Sequence, residues 1–201
     1  MSKHKEIFFE DEVVEHLTSN GWLQGESKAY DRELALYPED VEAWLRTSQL
    51  DEWVKIEKTH GTAARNVVLQ RLAAELDKEG SLHVLRRGFK QVNARFEMCA
   101  FKPSQKLNPT TLKRYGQVLC RVVRQVHYSK HKGDSIDLVF FVNGIPVATS
   151  ELKTDFTQSV HDAIKQYRND RPPRDPQANA DEPLLQFKKR CLVRYWFLVR
   201  C

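Results

Sequence analysis

No two cysteines in this chain are spaced as a metal or redox motif. Cys99, Cys120, Cys191 and Cys201 are scattered with no CxxC among them, which argues against structural zinc, and disulfides are disfavoured in a reducing compartment. The seven histidines form no HExxH arrangement and read as surface or satisfied core residues. There is no G-x-x-x-x-G-K-[ST] and no G-x-G-x-x-G, hence no loop of the kind that cradles nucleotide phosphates. No Gly-x-Ser-x-Gly or Cys–His context supports a covalent nucleophile. No apolar run approaches a membrane-spanning length, and the opening MSKHKEIFFEDEV lacks the apolar core of a signal peptide, so no membrane association and a cytoplasmic location are expected. Neither a helix-turn-helix nor a zinc finger is evident, and there is no repeat or low-complexity tract.

What remains is an ordinary globular composition. The 201 residues are 41% hydrophobic and 29% charged, enough for one domain with a substantial core, with room for a helical insertion. A net charge of +5 and an isoelectric point near 9.0 permit a polyanionic partner without demanding one.

The stretch from Gly133 to Asp155, GDSIDLVFFVNGIPVATSELKTD, organises the rest. Ser135 to Val142 and Ile145 to Lys153 read as two strands around Asn143-Gly144, a strong hairpin signal. Leu138 to Val142 is apolar without alternation, which suits a central strand covered on both faces. Asp137, Glu151 and Lys153 interrupt this apolar pair, and a buried charge is costly unless paired or bound to a metal. Glu151 and Lys153 share a face on a strand. A two-residue loop would set Val142 opposite Ile145 and Asp137 opposite Ser150, away from Glu151. A three-residue turn with Ile145 in the loop and Gly144 in a G1 bulge would set Val142 opposite Pro146 and Asp137 opposite Glu151. The bulged register is the one favoured here. Two carboxylates with water suit Mg²⁺ or Mn²⁺, and an adjacent lysine can orient a water or offset phosphate charge.

Elsewhere, residues 7–20 predict an amphipathic helix with Phe9, Val13, Val14 and Leu17 on its apolar arc and Glu10 within it. Residues 30–80 read as a helical insertion beside the sheet. One helix opens at Pro38, with Val41, Trp44, Leu45, Leu50, Trp53 and Val54 facing inward, and a second runs from about Ala63 to Lys78. Trp44 and Trp53 are read as core. Residues 81–102 predict short strand-like pieces. Arg86, Arg87, Lys90, Arg95, Lys102 and Lys106 make the densest basic stretch, broken only by Glu97; singly they are solvated, and together they form a surface able to touch phosphates. A short helix from Pro109 precedes a strand from Val118 to Tyr128. Lys130 and Lys132 lie in a basic turn before the hairpin, placed to meet DNA. A helix from Thr157 to Asn169, stopped by Pro172-Pro173, follows it, then a polar loop and a last strand over Cys191 to Val199.

Asp137, followed after thirteen residues by Glu151-Leu152-Lys153, resembles the PD-(D/E)xK nucleases. The words VRQVHYS, SIDLVFFVNGIPVATSELK, HDAIKQYRNDR and EPLLQFKKRCLV narrow this: from about Glu6 to Val193 the chain resembles the N-terminal nuclease region of the restriction (R) subunit of type I restriction-modification enzymes. The resemblance implies a restriction-endonuclease-like α/β fold, a mixed sheet flanked by helices, over one domain spanning 1–201. It implies Mg²⁺-dependent cleavage of double-stranded DNA, with Asp137 and Glu151 as metal ligands, Lys153 as a further catalytic group, and Glu10 as the acid that such nucleases often add from their first helix. Related nucleases carry Gln-x-x-x-Tyr on the helix after the hairpin. Here Tyr167 matches, the glutamine position holds Ala163, and Gln166 is the nearest substitute, with Arg168 beside them as a further DNA contact.

The family would continue into an ATP-driven motor whose motifs are absent from these residues, so ATP belongs to the full-length enzyme, and sequence recognition to methylation and specificity subunits. Alone, the domain is expected to be feeble or inactive. The alternative is an inert fragment that keeps the fold and serves as a DNA- or subunit-docking domain.

Overall fold

The structure, a computed structural model, describes residues 2–105, 108–154, 169–186 and 197–200. Helix α1 (Ser2–Ser19) leads into strand β1 (Leu23–Gly25). Four helices follow: α2 (Pro38–Ser48), α3 (Leu50–His60), α4 (Ala64–Glu79) and α5 (Ser81–Arg87). A small hairpin, β2 (Phe89–Gln91) and β3 (Ala94–Phe96), precedes helix α6 (Pro109–Gly116) and strands β4 (Cys120–His127), β5 (Ser135–Val142) and β6 (Ile145–Thr154). A second small hairpin, β7 (Arg174–Asp175) and β8 (Ala180–Asp181), and strand β9 (Phe197–Arg200) complete the described elements.

The main sheet has the order β1-β4-β5-β6-β9. Its centre is an antiparallel meander of β4, β5 and β6, and both outer strands run parallel to their neighbours. This is the mixed, helix-flanked, restriction-endonuclease-like architecture expected from the sequence. The continuous apolar run of β5 finds cover on both sides. Leu138 and Phe140 pack with Val14 of α1 and with Leu152, while Val139 and Phe141 pack with Tyr30, Tyr37, Leu184 and Leu185. No helix among the described residues is long and apolar enough to cross a membrane.

The helices of residues 38–87 build their own core around Trp44, Trp53, Ile56, Leu72 and Leu76, closed by Phe96 and Met98 and joined to the sheet through Ile145. Both tryptophans are core residues whose ring N–H groups are satisfied, by Glu97 O and Glu57 Oε1. Leu50, expected inward, is exposed, and Ile56 fills the inner face of α3. Residues 81–87 form a helix instead of strand-like pieces. Val84 and Leu85 are its buried apolar residues, so α5 rests on the same core and the extended backbone starts only at Phe89.

The hairpin turn differs from the bulged loop favoured above. Asn143 and Gly144 both adopt positive φ, 48° and 80°, and Val142 pairs with Ile145, so the loop has two residues in the primed geometry. The extra residue comes later: Phe141 pairs with Pro146 but Phe140 with Ala148, which leaves Val147 as the bulge. Pro146 offers no N–H to the ladder, and bulges are where a sheet tolerates proline. The offset is the same one residue, introduced after the turn.

The turn is buried under the start of α2. Asn143 Nδ2 donates to Met98 O, Asn143 Oδ1 accepts from Leu119 N, and Gly144 O accepts from Tyr37 N at 2.9 Å. A Cβ on Gly144 would lie 2.5 Å from Tyr37 O and from Val41 Cγ2. Gly144→Ala is therefore expected to cost at least ~1 kcal/mol from the positive φ alone, with the clash adding to it. The readout is the urea midpoint; an unchanged midpoint would mean that α2 does not clamp the turn.

Candidate active site

The Val147 bulge decides which side chains meet. Leu138 pairs with Ser150, so the next position along sets Asp137 opposite Glu151, and directly opposed residues of an antiparallel ladder share a side of the sheet. Asp137 Oδ2 accepts from the Leu152 N–H at 2.7 Å, which fixes the Asp137 carboxylate against the backbone immediately after Glu151. Glu151 is buried at 7% exposure. Its Oε1 lies 3.3 Å from Arg171 Nη2, and Arg171 Nη1 also donates to the Tyr128 hydroxyl. Burial raises the Tyr128 hydroxyl's pKa, and the bond from Arg171 works against that rise.

On the other side of Asp137 stands Gln125 of β4. Strand β4 pairs Arg124 with Leu138 and Val126 with Ile136, and Gln125 between them adopts φ 46°. Its amide Nε2 donates at 3.3 Å both to Asp137 Oδ1 and to Glu10 Oε2, and its Oε1 accepts from the Ser135 hydroxyl. Glu10 is buried at 5% exposure, which answers the question raised by a carboxylate on an apolar helix face: Arg124 Nε donates to it at 2.7 Å. Arg124 Nη2 pairs with Asp11 at 2.6 Å. Burial alone would lower the Arg124 pKa, and the bonds to Glu10 and Asp11 outweigh it, so the net shift is upward. Glu10 thus reaches Asp137 through Gln125.

Lys153 continues the backbone of β6, paired with Val199, and its side chain lies outside the described residues, as do Gln166, Tyr167 and Arg168 entirely. Lys130 and Lys132 sit in the turn before β5 with acids at hand: Lys130 pairs with Glu33 and Lys132 with Asp175 at 3.0 Å. A contact with a polyanion there would exchange these partners.

Arg124, Gln125 and Arg171 were not singled out from the sequence. The signal for the first two was present, since Arg-Gln interrupts an otherwise β-branched strand, VVRQV. Arg171 offered no comparable signal, standing in the polar stretch just before Pro172-Pro173.

Among the described residues no three His, Cys, Asp or Glu side chains converge as a metal-binding group. What the hairpin offers is a pair of carboxylates, and that set fits Mg²⁺, which commonly takes one or two carboxylates and keeps several waters. The oxygens of Asp137 that accept one hydrogen bond each retain capacity for a second partner.

A family model described as the N terminus of the type I restriction enzyme R protein matches residues 13–198. Comparison with curated proteins and with solved structures found no match.

Proposed function

The chain belongs to the family of type I restriction enzyme R protein N termini, and on that premise we propose that it is a Mg²⁺-dependent DNA endonuclease domain. The observation that carries the reading is the register across the hairpin, with Asp137 opposite Glu151 and held there by the Leu152 N–H. Asp137 and Glu151 would hold the cation, with the Leu152 carbonyl able to assist. When bound, it supplies a Lewis acid that activates water and offsets charge on the phosphate. The Lys153 ammonium orients the attacking water or balances charge building up on the phosphorane oxygens. As the water oxygen joins phosphorus it gives up a proton to solvent, one ester P–O bond breaks, and the departing oxygen takes a proton from solvent, leaving a phosphomonoester and a free hydroxyl. Arg171 pairs with Glu151, and Gln125 and Glu10 position Asp137 from behind. Gln166, Tyr167, Arg168, Lys130 and Lys132 are the proposed DNA contacts.

Double-stranded DNA is the substrate, and methylation and specificity subunits supply recognition, with ATP-driven translocation belonging to a motor outside these residues. The Glu10–Arg124 and Glu151–Arg171 pairs also suit a second reading, an inert docking domain whose acids are already neutralised.

Metal titration separates the two. The protein is expected to bind Mn²⁺, monitored by calorimetry or by the spin resonance of the free ion, and Asp137→Ala is expected to lose that binding. Equal Mn²⁺ binding by the wild type and Asp137→Ala, or none by either, would leave the docking reading.

A further inference from the structure

A second site lies at the opposite end of the hairpin. A cavity of about 420 Å³, within the usual size of a small-molecule pocket, opens beside the small β2–β3 hairpin, with Arg86, Arg87, Arg95 and Arg114 in its wall. They come from three places: the last turn of α5, strand β3 and helix α6. Only one acid, Glu97, shares the lining, and it pairs with Arg114 Nη1 at 2.7 Å. Among the described residues no carboxylate pairs with the side chains of Arg86, Arg87 or Arg95. Four guanidinium groups against one carboxylate leave a strongly positive concavity.

Two further observations point to an anionic occupant. Arg114 Nε and Nη2 are buried and find no hydrogen-bond partner among the described residues, although the guanidinium sits 5.8 Å over the Trp44 ring. Buried cationic donors without an acceptor are costly, and an anion bound beside the cluster would offset that charge. Thr110 and Thr111 line the same cavity. Their backbone amides are already taken by Asn108 Oδ1, so the helix terminus itself is not the attraction. At the rim stands Phe101, 57% exposed, a flat apolar face beside the positive cluster. Cys99 lines the pocket, and burial pushes its thiol up to about 11, so it is a neutral wall and not a nucleophile.

We infer that this pocket binds the phosphoryl group of a nucleoside phosphate, with the base stacked on Phe101. Guanidinium forks are matched to phosphate oxygens, and aromatic faces accept any base. The ligand can be a free nucleotide or one residue of a DNA strand, which present the same chemistry. The site is separate from the carboxylate pair. Asn143 bonds to Met98 O, next to Cys99 in the lining, and the six residue steps from Asn143 to Asp137 span roughly 20 Å. The inference therefore does not depend on the hydrolytic role of Asp137 and Glu151.

The test measures binding of pyrophosphate, dAMP and a short 5′-phosphorylated single-stranded oligonucleotide to the full chain without divalent metal. Arg86 and Arg87 are exposed, so Arg86→Ala/Arg87→Ala is expected to fold and to bind every ligand that the wild type binds about tenfold or more weakly. Phe101→Ala is expected to weaken dAMP or the oligonucleotide by about fivefold or more and to leave pyrophosphate unchanged. Asp137→Ala is expected to bind as the wild type does. Binding of dAMP would identify a free nucleotide as a competent source, and binding of the oligonucleotide alone would identify DNA; either supports the site. No binding of either nucleoside ligand, or binding indifferent to the arginine pair, would overturn it, as would equal loss in Asp137→Ala.

Discussion

Glu151→Ala, and equally Asp137→Ala, should lower DNA cleavage by an enzyme assembled from the R subunit and its partner subunits by at least about 10²-fold to 10³-fold, the scale at which one charge-stabilising group acts in a water-poor site. The expectation rests on position. Glu151 is buried at 7% exposure beside Arg171, and Asp137 is tied to the backbone of Leu152, so both carboxylates are held in place. Glu151→Gln is the sharper variant because it keeps the shape and removes the charge. Its nuclease activity should fall with the alanine variant's, while ATP-driven translocation by the assembled enzyme stays intact. Arg171 would then face an amide instead of a carboxylate, so unfolding of Glu151→Gln should be followed alongside cleavage. Folded Glu151→Gln protein that cuts like the wild type would remove the metal-ligand assignment.

Much of this geometry could be read from the residues alone, because it depends on local rules. An apolar run without alternation announced a strand covered on both faces, and Asn143-Gly144 announced the turn. The position of the bulge was less accessible. From the sequence alone the bulge belongs in the loop, where a glycine at positive φ would absorb it, yet Gly144 is already used by the two-residue turn. Pro146, a residue that cannot donate to the ladder, was the available clue. Contacts remote in sequence were harder to see. Glu10 was conspicuous as a carboxylate on an apolar arc, but nothing local named Arg124, 114 positions later, as its partner. The basic stretch from Arg86 to Lys106 was legible as charge, whereas the meeting of Arg86, Arg87 and Arg95 with Arg114 in one cavity depends on the packing of α6.

Asp40 is the clearest case, and it leads to the largest expected effect on stability. From the sequence it belongs to an acidic first turn after Pro38, a favourable but modest interaction with the helix dipole. In the structure it is 2% exposed, and Arg121, 81 positions away on β4, grips it with two hydrogen bonds of 2.7 Å, Nε to Oδ2 and Nη2 to Oδ1. Arg121 Nη1 also donates to Gln24 O on β1 at 3.0 Å, and its guanidinium lies 4.5 Å over the Tyr37 ring. The hydrogen bonds to Asp40 hold the Arg121 pKa above its ordinary value, against the opposing pull of burial. One side chain thus joins the helical layer, the edge strand and the centre of the sheet. Arg121→Ala leaves Asp40 charged in the interior with no cation beside it, and such a loss typically costs ~3–5 kcal/mol. That is a large part of the ~5–15 kcal/mol that holds most domains folded, so the variant should unfold at a markedly lower temperature or fail to accumulate. Arg121→Met with Asp40→Leu removes both charges and fills similar volume, and should recover most of the loss because no buried ion is left unpaired. Comparing the single and double variants by urea denaturation decides the matter. A cost below ~1 kcal/mol for Arg121→Ala would put the pair in the range of exposed ion pairs and would mean that the helices of residues 38–87 are held to the sheet by apolar packing around Ile145 and by the hydrogen bonds at the hairpin turn.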